Sequence, residues 1–164
     1  MTKCFVILSF VALLFSGCGS SSEEAAIEKQ IKEATGSDAD VSITEDGISI
    51  RGKTDVGAFS IRSGEGTEIP ENFPADVFVY KPSKIGSYMN APKGQTLNLY
   101  TDDAVKKVRE AYRSEMANKG WKEESSLNMG LQTVLSYSKE DREIQIDITS
   151  SEDKTDIMVI VLNH

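Results

Sequence analysis

The chain has 164 residues, room for one ordinary domain, because single hydrophobic cores usually belong to domains of about 100 to 150 residues. It carries 26 acidic against 18 basic side chains and no stripe of lysine or arginine, which argues against a nucleic-acid partner, since such proteins need clustered positive charge. Both cysteines, Cys4 and Cys18, lie near the start, so without that segment the folded body has no disulfide and its core depends on packing.

Residues 1–17 have the pattern of a signal peptide. Lys3 supplies the positive start, and residues 5–15 form an apolar stretch that is too short to span a membrane, which takes about 20 residues. Two small residues and then Cys18 follow this stretch. The arrangement resembles the lipobox of bacterial lipoproteins. The alternative is a simple secretory signal, but such signals end in small residues of the A-x-A type.

The lipobox resemblance implies cleavage after Gly17 and a thioether-linked diacylglycerol on Cys18, usually with a further acyl chain such as palmitate. Two or more chains anchor a protein stably, so the expected partner is a membrane and the expected location is outside the cytoplasm. In a Gram-negative host this is the periplasmic side of the outer membrane, because Gly19 rather than aspartate follows the cysteine. Residues 18–22, rich in glycine and serine, are expected to form a flexible tether.

Several segments precede the main domain. Residues 23–36 predict a helix, with acidic residues at its start and Gly36 at its end, and its thin apolar stripe favours a stalk or satellite helix. Residues 39–62 alternate between apolar and polar in short runs, which predicts a three-stranded β meander whose apolar face must cover something. Residues 63–75, interrupted by glycine and proline, are expected to be a linker.

An α+β domain is expected over residues 76–164. A strand at 76–80 and a hairpin around the turn at 91–94 precede a helix at about 103–119. The apolar residues of this helix recur at spacings of three and four: Val105, Val108, Tyr112 and Met116. Four runs with a period of two residues follow, which predicts four strands with one face on the core.

Both ends of the main helix carry signals. Thr101 or Asp102 is expected to cap its start. Gly120 is expected to end it in a Schellman motif, with Trp121 packed on Met116. The expected fold class is therefore α+β: an antiparallel sheet packed on one main helix (ββ-α-ββββ), preceded by a short helix and a small three-stranded meander.

The last apolar run, residues 157–162, is apolar on both faces, and two interpretations are open. In the first, it is a central strand covered by the helix on one side and by the meander on the other, since continuous apolar runs are usually covered twice. In the second, Met158, Ile160 and Leu162 form an exposed patch for a partner. The pattern favours the first interpretation.

The segment IPENFPADVFVY, residues 69–80, and the helix that ends in Gly-Trp resemble a family of small uncharacterised bacterial lipoproteins. In that family a P-x-x-F-P-x-D-V segment precedes a helix with the same ending. The matching positions are Pro70, Phe73, Pro74, Asp76, Val77, Tyr80, Gly120 and Trp121. The resemblance supports the fold and the compartment, and it brings no activity with it.

No motif predicts catalysis, a metal or a cofactor. The one histidine of the sequence is His164, and neither G-x-S-x-G nor a P-loop is present. Residues 38–49 superficially suggest a calcium loop, but Ile43 stands where that loop needs glycine and Ser49 where it needs a bidentate glutamate. We therefore expect no enzymatic activity, no metal and no cofactor.

The function expected from the sequence is that of a membrane-anchored, extracytoplasmic lipoprotein, a non-catalytic domain that binds or supports an envelope protein. The alternative is a small-ligand or peptide binder that uses the sheet face opposite the main helix. Tyrosines in or beside the strands are its candidate aromatic contacts: Tyr80, Tyr88, Tyr100 and Tyr137. A concave pocket on that face would favour the alternative, and the oligomeric state stays open.

Overall fold

Two helices and nine strands follow one another in the computed structural model, which describes residues 20–36, 38–65 and 67–163. The helices are α1 (Ser20–Thr35) and α2 (Val105–Asn118). The strands are β1 (Ala39–Thr44), β2 (Gly47–Thr54), β3 (Gly57–Ser63), β4 (Lys84–Ala91), β5 (Gly94–Thr101), β6 (Lys122–Asn128), β7 (Gln132–Lys139), β8 (Arg142–Ser151) and β9 (Lys154–Asn163). The predicted α+β class is confirmed. The predicted signal peptide, Cys18 and His164 lie outside the described residues.

All nine strands belong to one antiparallel sheet with the order β1-β2-β3-β4-β5-β9-β8-β7-β6. The last strand, β9, lies between β5 and β8, with Val159 opposite both Leu97 and Ile146. The meander β1–β3 continues the same sheet, because β3 pairs with β4 through Ile61 and Met89. The meander therefore lies beside the main strands in the plane of the sheet. It does not cover β9, although the interpretation of β9 as a doubly covered strand required this.

α2 packs on one face of the sheet and closes the core. Val108, Tyr112 and Met116 are fully buried, and their spacing of four residues places them on one side of the helix. They belong to a cluster with apolar residues of the central strands, among them Leu97, Leu135, Ile144, Ile146, Ile148, Ile157, Val159 and Val161. Full burial of each large side chain stabilises the fold by about 1.5–3 kcal/mol.

The C-terminal end of α2 has the predicted Schellman geometry. The amide N–H of Trp121 donates to the carbonyl of Met116 at 2.9 Å, and that of Gly120 donates to the carbonyl of Ala117 at 3.0 Å. Gly120 has a φ of 79°, a left-handed conformation that glycine adopts without a steric penalty. The end of this helix is therefore encoded locally.

The predicted cap at the start of α2 is wrong. The N-cap residue is Ala104, which makes no side-chain cap hydrogen bond. The Thr101 hydroxyl instead donates to the carbonyl of Pro82 at 2.7 Å, because Thr101 is the last residue of β5 and faces the preceding loop. Asp103 accepts from Lys107 at 2.8 Å and from the Tyr80 hydroxyl at 2.7 Å.

Residues 76–80, predicted as a strand, form a loop instead. Val77 donates its amide N–H to the carbonyl of Pro74 at 3.0 Å, a turn that interrupts extended backbone. Phe73, Val77 and Tyr80 are nevertheless buried in the core cluster. The apolar run from Val77 to Tyr80 resembles a buried strand in sequence, but the flanking Pro74 and Pro82 lack the N–H donors that a strand ladder needs.

Asp76 ties this loop to the sheet. Its carboxylate accepts hydrogen bonds from the Arg142 guanidinium at 2.9 and 2.7 Å and from Lys139 Nζ at 2.8 Å. The Arg142 bonds, with Lys139 in support, hold the pKa of Asp76 well below its usual range, although partial burial opposes them. The Trp121 indole donates to the carbonyl of Asp76 at 2.9 Å. Asp76, Val77 and Trp121, which match the lipoprotein pattern, therefore have structural roles here.

α1 begins at Ser20, so residues 20–22, expected as part of the tether, form its first turn. Acidic residues at a helix start interact favourably with the helix dipole, and Glu23 lies in this first turn. α1 packs along β1 at the edge of the sheet. Neither described helix is long and apolar enough to cross a membrane.

Candidate functional site

The two faces of β9 have different surroundings. Ile157, Val159 and Val161 are buried under α2, whereas Met158 and Ile160 are half-buried and Leu162 is 36% exposed. The prediction that this strand is covered on both faces is wrong, because α2 covers one face only and the meander lies in the plane of the sheet. We call the side that carries Ile61, Met89, Met158 and Ile160 the open face.

A row of paired residues crosses the open face. Ile50, Ile61, Met89, Thr96 and Ile160 are consecutive cross-strand partners on β2, β3, β4, β5 and β9. Directly paired side chains lie about 4.5–5.5 Å apart on the same side of a sheet. At roughly 4.8 Å between strands the row is about 19 Å long. It becomes polar at β8, where Gln145 is the partner of Ile160.

The meander lengthens this apolar surface. Val41 is paired with Ile50, and Ile43 with Ile48, so these side chains share the side of the row, where Val41 is buried at 6% exposed. Ile48 and Met89 are 40% and 39% exposed. The apolar face predicted for the meander therefore continues the open face. The sequence showed this alternation, but it could not show toward which side of the sheet the face points.

A cavity of ≈ 410 Å³ lies on the open face beside the row. It is lined by Met158 and by polar residues of neighbouring strands, among them Ser87, Asn98, Asp147 and Thr149. The strand β4 has a bulge between Ile85 and Ser87, and the intervening Gly86 has no side chain to fill the space. No motif in the sequence marks these polar residues, because strands far apart in the chain bring them together.

Two hydrogen bonds fix the polar groups of this cavity. Asn98 Nδ2 donates to Ser87 Oγ at 2.7 Å, and Gln145 Nε2 donates to Asp147 Oδ2 at 3.0 Å. Asp147 is only 8% exposed. Oriented polar groups beside an apolar surface are typical of small-molecule sites, whose volumes are commonly about 300–1,000 Å³.

A larger hollow of ≈ 1150 Å³ lies between α1 and the meander. Its lining is mostly charged or polar, with Asp38, Asp40, Arg51, Lys53 and Asp55 among its residues. Charged side chains of both signs bind water well, and an apolar ligand would have to displace that water. This hollow is therefore a less favourable site for an apolar ligand than the open face.

The side of the sheet under α2 is filled with side chains. Tyr112, Met116 and Leu97 are 0% exposed. Of the tyrosines considered as aromatic contacts, Tyr80, Tyr88 and Tyr137 are buried in the core cluster. Tyr100, in contrast, lines the cavity together with Asp156, its cross-strand partner on β9. Lys154 Nζ lies 4.7 Å from the centre of the Tyr100 ring.

No three His, Cys, Asp or Glu side chains lie together as a possible metal site within residues 20–36, 38–65 and 67–163. The residue with a predicted chemical role, Cys18, precedes the described part. Met158, Ile160 and Leu162, predicted as an alternative patch, share the open face, and the structure adds Ile61, Met89, Asn98 and Asp147 to their surroundings.

The profile of the START domain-like family matches residues 85–155. This stretch runs from β4 to the start of β9 and contains α2, Met89, Asn98 and Asp147, but it is less than half of the chain. No curated protein and no solved structure matches the chain.

Proposed function

We propose that this chain is a small-ligand-binding domain that takes an apolar ligand on the open face and is held at a membrane, outside the cytoplasm, by lipid on Cys18. The observation that carries the ligand-binding role is the half-buried pair Met158 and Ile160, which continues into Ile61 and Met89 beside the ≈ 410 Å³ cavity.

Physical chemistry supports this use of the open face. Large contiguous apolar surfaces on a folded protein usually mark binding sites. Methionine side chains such as Met89 and Met158 are flexible and polarizable, so they adapt to ligands of different shape. Asn98 and Asp147 would orient a polar group at the end of the ligand. The START domain-like match also favours a ligand-binding domain.

Titration with an apolar dye, 1-anilinonaphthalene-8-sulfonate, tests the ligand site. We expect Ile160→Ser to weaken dye binding about tenfold, or about 1.4 kcal/mol, because it removes the apolar side chain at the end of the row that lies next to Met158 and the cavity. Val56→Ser is the matched control, since Val56 is 68% exposed in the β2–β3 turn. Equal dye affinity in Ile160→Ser and the wild-type protein would refute the site.

The anchor has its own test. Cells that express Cys18→Ser should lose labelling by radioactive palmitate, because the substitution removes the sulfur that would carry the lipid. Cys4→Ser should keep the label, since Cys4 lies in the segment that cleavage after Gly17 removes. Persistent labelling of Cys18→Ser would exclude this residue as the anchor without bearing on the ligand site.

A second candidate function, docking to an envelope protein, is favoured by the tip of the β6–β7 hairpin. Leu127, Met129 and Leu131 are 54%, 52% and 71% exposed, an unusual density of large apolar side chains for a turn. A photo-crosslinking residue in place of Leu131 should then capture one defined protein in intact cells. The same photo-crosslinking residue in place of Lys93 should not. Equal capture from both positions would speak against this role.

A further inference from the structure

β1 forms one edge of the sheet, and helix carboxylates cover it. The amide N–H of Val41 donates to Glu28 Oε1 at 3.1 Å, and that of Ile43 donates to Glu24 Oε1 at 2.7 Å. In the interior of a sheet such groups bond to the carbonyls of a neighbouring strand. The two carboxylates therefore occupy the positions that strand carbonyls would take.

α1 packs on β1, where Val41 is only 6% exposed, but the helix side of this contact is less well buried. Ile27 and Ile31 of α1 are only half-buried, and the ion pair between Lys32 and Asp38 joins two exposed side chains. Exposed ion pairs contribute about 0–1 kcal/mol. The chain leaves α1 at Gly36. No described atom lies within 4 Å of the position that a Cβ would take there, so the space around Gly36 is open. Displacement of this helix would leave the main core under α2 intact.

The uncovered edge of β1 is complementary to itself. In an antiparallel pair of two β1 strands related by a two-fold axis at Ser42, Val41 of each copy is opposite Ile43 of the other. Each of these residues then donates its N–H to the residue opposite and accepts a hydrogen bond from it at its C=O. Asp40 comes opposite Thr44, so no like charges are directly paired. Val41 and Ile43 lie on the open face, and the apolar surface would run across the junction.

We propose that β1 is a strand-pairing edge for a second copy of this chain and that α1 is its removable cover. Without the cover, two sheets join edge to edge across Ser42. The proposal does not depend on the ligand site, since the pairing uses backbone groups of β1 only. Natural proteins protect exposed strand edges against such pairing, and here the protection is a helix that lies close to the predicted anchor.

The oligomeric state of the purified protein, measured by light scattering after size-exclusion chromatography, tests this proposal. We expect Glu24→Ala/Glu28→Ala to lower the dimer dissociation constant at least about tenfold relative to the wild-type protein. Alanine favours helix formation, so α1 itself remains helical. Glu23→Ala/Glu33→Ala is the matched control, because it removes the same charge from exposed positions of α1 and should change nothing.

Adding Ser42→Lys to the glutamate variant identifies the surface. Ser42 is exposed, so the substitution leaves the folded monomer intact, as circular dichroism would verify, but it brings two ammonium groups together at the two-fold axis. The triple variant should therefore be monomeric. A glutamate variant that stays monomeric, or a dimer that tolerates Ser42→Lys, would overturn the proposal.

Discussion

Buried tyrosine hydroxyls in this core differ in whether they have a partner. The Tyr80 hydroxyl donates to the Asp103 carboxylate at 2.7 Å. The Tyr137 hydroxyl is buried and has no hydrogen-bond partner among the described residues. Burial raises the pKa of both tyrosines to about 12. An unpaired buried polar group costs about 1–3 kcal/mol, so the same chemical change should affect the two positions in opposite directions.

Tyr137→Phe is expected to raise the free energy of unfolding by about 1 kcal/mol, because it removes an unpaired hydroxyl and keeps the ring. Tyr80→Phe is expected to lower it by about 1–2 kcal/mol, since it removes a bond to a charged group. Urea unfolding followed by Trp121 fluorescence measures both changes. A loss of stability in Tyr137→Phe would mean that a buried water satisfies its hydroxyl.

Among the elements, the β4–β5 hairpin depends on a glycine for space. A Cβ added to Gly94 would lie 2.1 Å from the carbonyl oxygen of Val161 in β9. Backbone atoms cannot move away as a flexible side chain can, so the hairpin would have to separate from the central strand. At Gly120 the nearest atom to an added Cβ is Lys139 Cε at 4.0 Å. Only the steric penalty of the left-handed backbone would therefore disfavour a side chain there.

Gly94→Ala is therefore expected to lower the free energy of unfolding by about 3 kcal/mol or more, within the range of severe single substitutions. Gly120→Ala should cost about 1 kcal/mol, the strain of a left-handed residue with a Cβ. Thermal unfolding monitored by circular dichroism compares the two. Similar losses in both variants would contradict the role of the Val161 carbonyl.

Elements with local signals could be predicted from the sequence. Val108, Tyr112 and Met116 define the face of α2, and Gly120 with Trp121 defines its end. Residues 76–80 could not be distinguished from a strand, because their burial against α2 depends on contacts with distant residues such as Arg142. The apolar side of the meander could be predicted from its alternating residues. The side of the main sheet on which it lies depends on how β3 pairs with β4.

At the scale of the whole molecule, Asp76 connects regions that are far apart in the chain. Its bonds to Lys139 and Arg142 join residues separated by 63 and 66 positions. The side chains of Asp76, Lys139 and Arg142 are 30%, 25% and 26% exposed, so solvent screens them only in part. Breaking such a partly buried group should cost more than the 0–1 kcal/mol of a surface pair.

Asp76→Asn should lower the free energy of unfolding by about 2 kcal/mol at pH 7. The pKa of Asp76 is lower in the folded than in the unfolded protein, so its contribution is complete above the unfolded value and decreases as the pH falls below about 4. The difference between wild type and variant should shrink accordingly in urea titrations from pH 6 to pH 3. Glu110→Ala, which breaks an exposed pair with Lys106, should show neither effect, and a constant difference across this range would contradict the assignment.

The central place of β9 was predicted from its continuous apolar run, and the sheet order agrees with it, but the neighbours of β9 could not be predicted. Its pairing with β5 joins residues about sixty positions apart, such as Leu97 and Val159, and no local pattern selects that neighbour over another strand. The prediction of a doubly covered strand used the correct residues but assumed the wrong position for the meander.

The position of β9 also constrains the order in which the molecule assembles. β1–β5 and β6–β8 are two separate sets of paired strands until β9 enters between β5 and β8. Contacts between residues so far apart make folding slow, and here the joining strand is the last of the nine described strands in chain order. During synthesis, the two sets of strands therefore cannot pair into one sheet until β9 has been made.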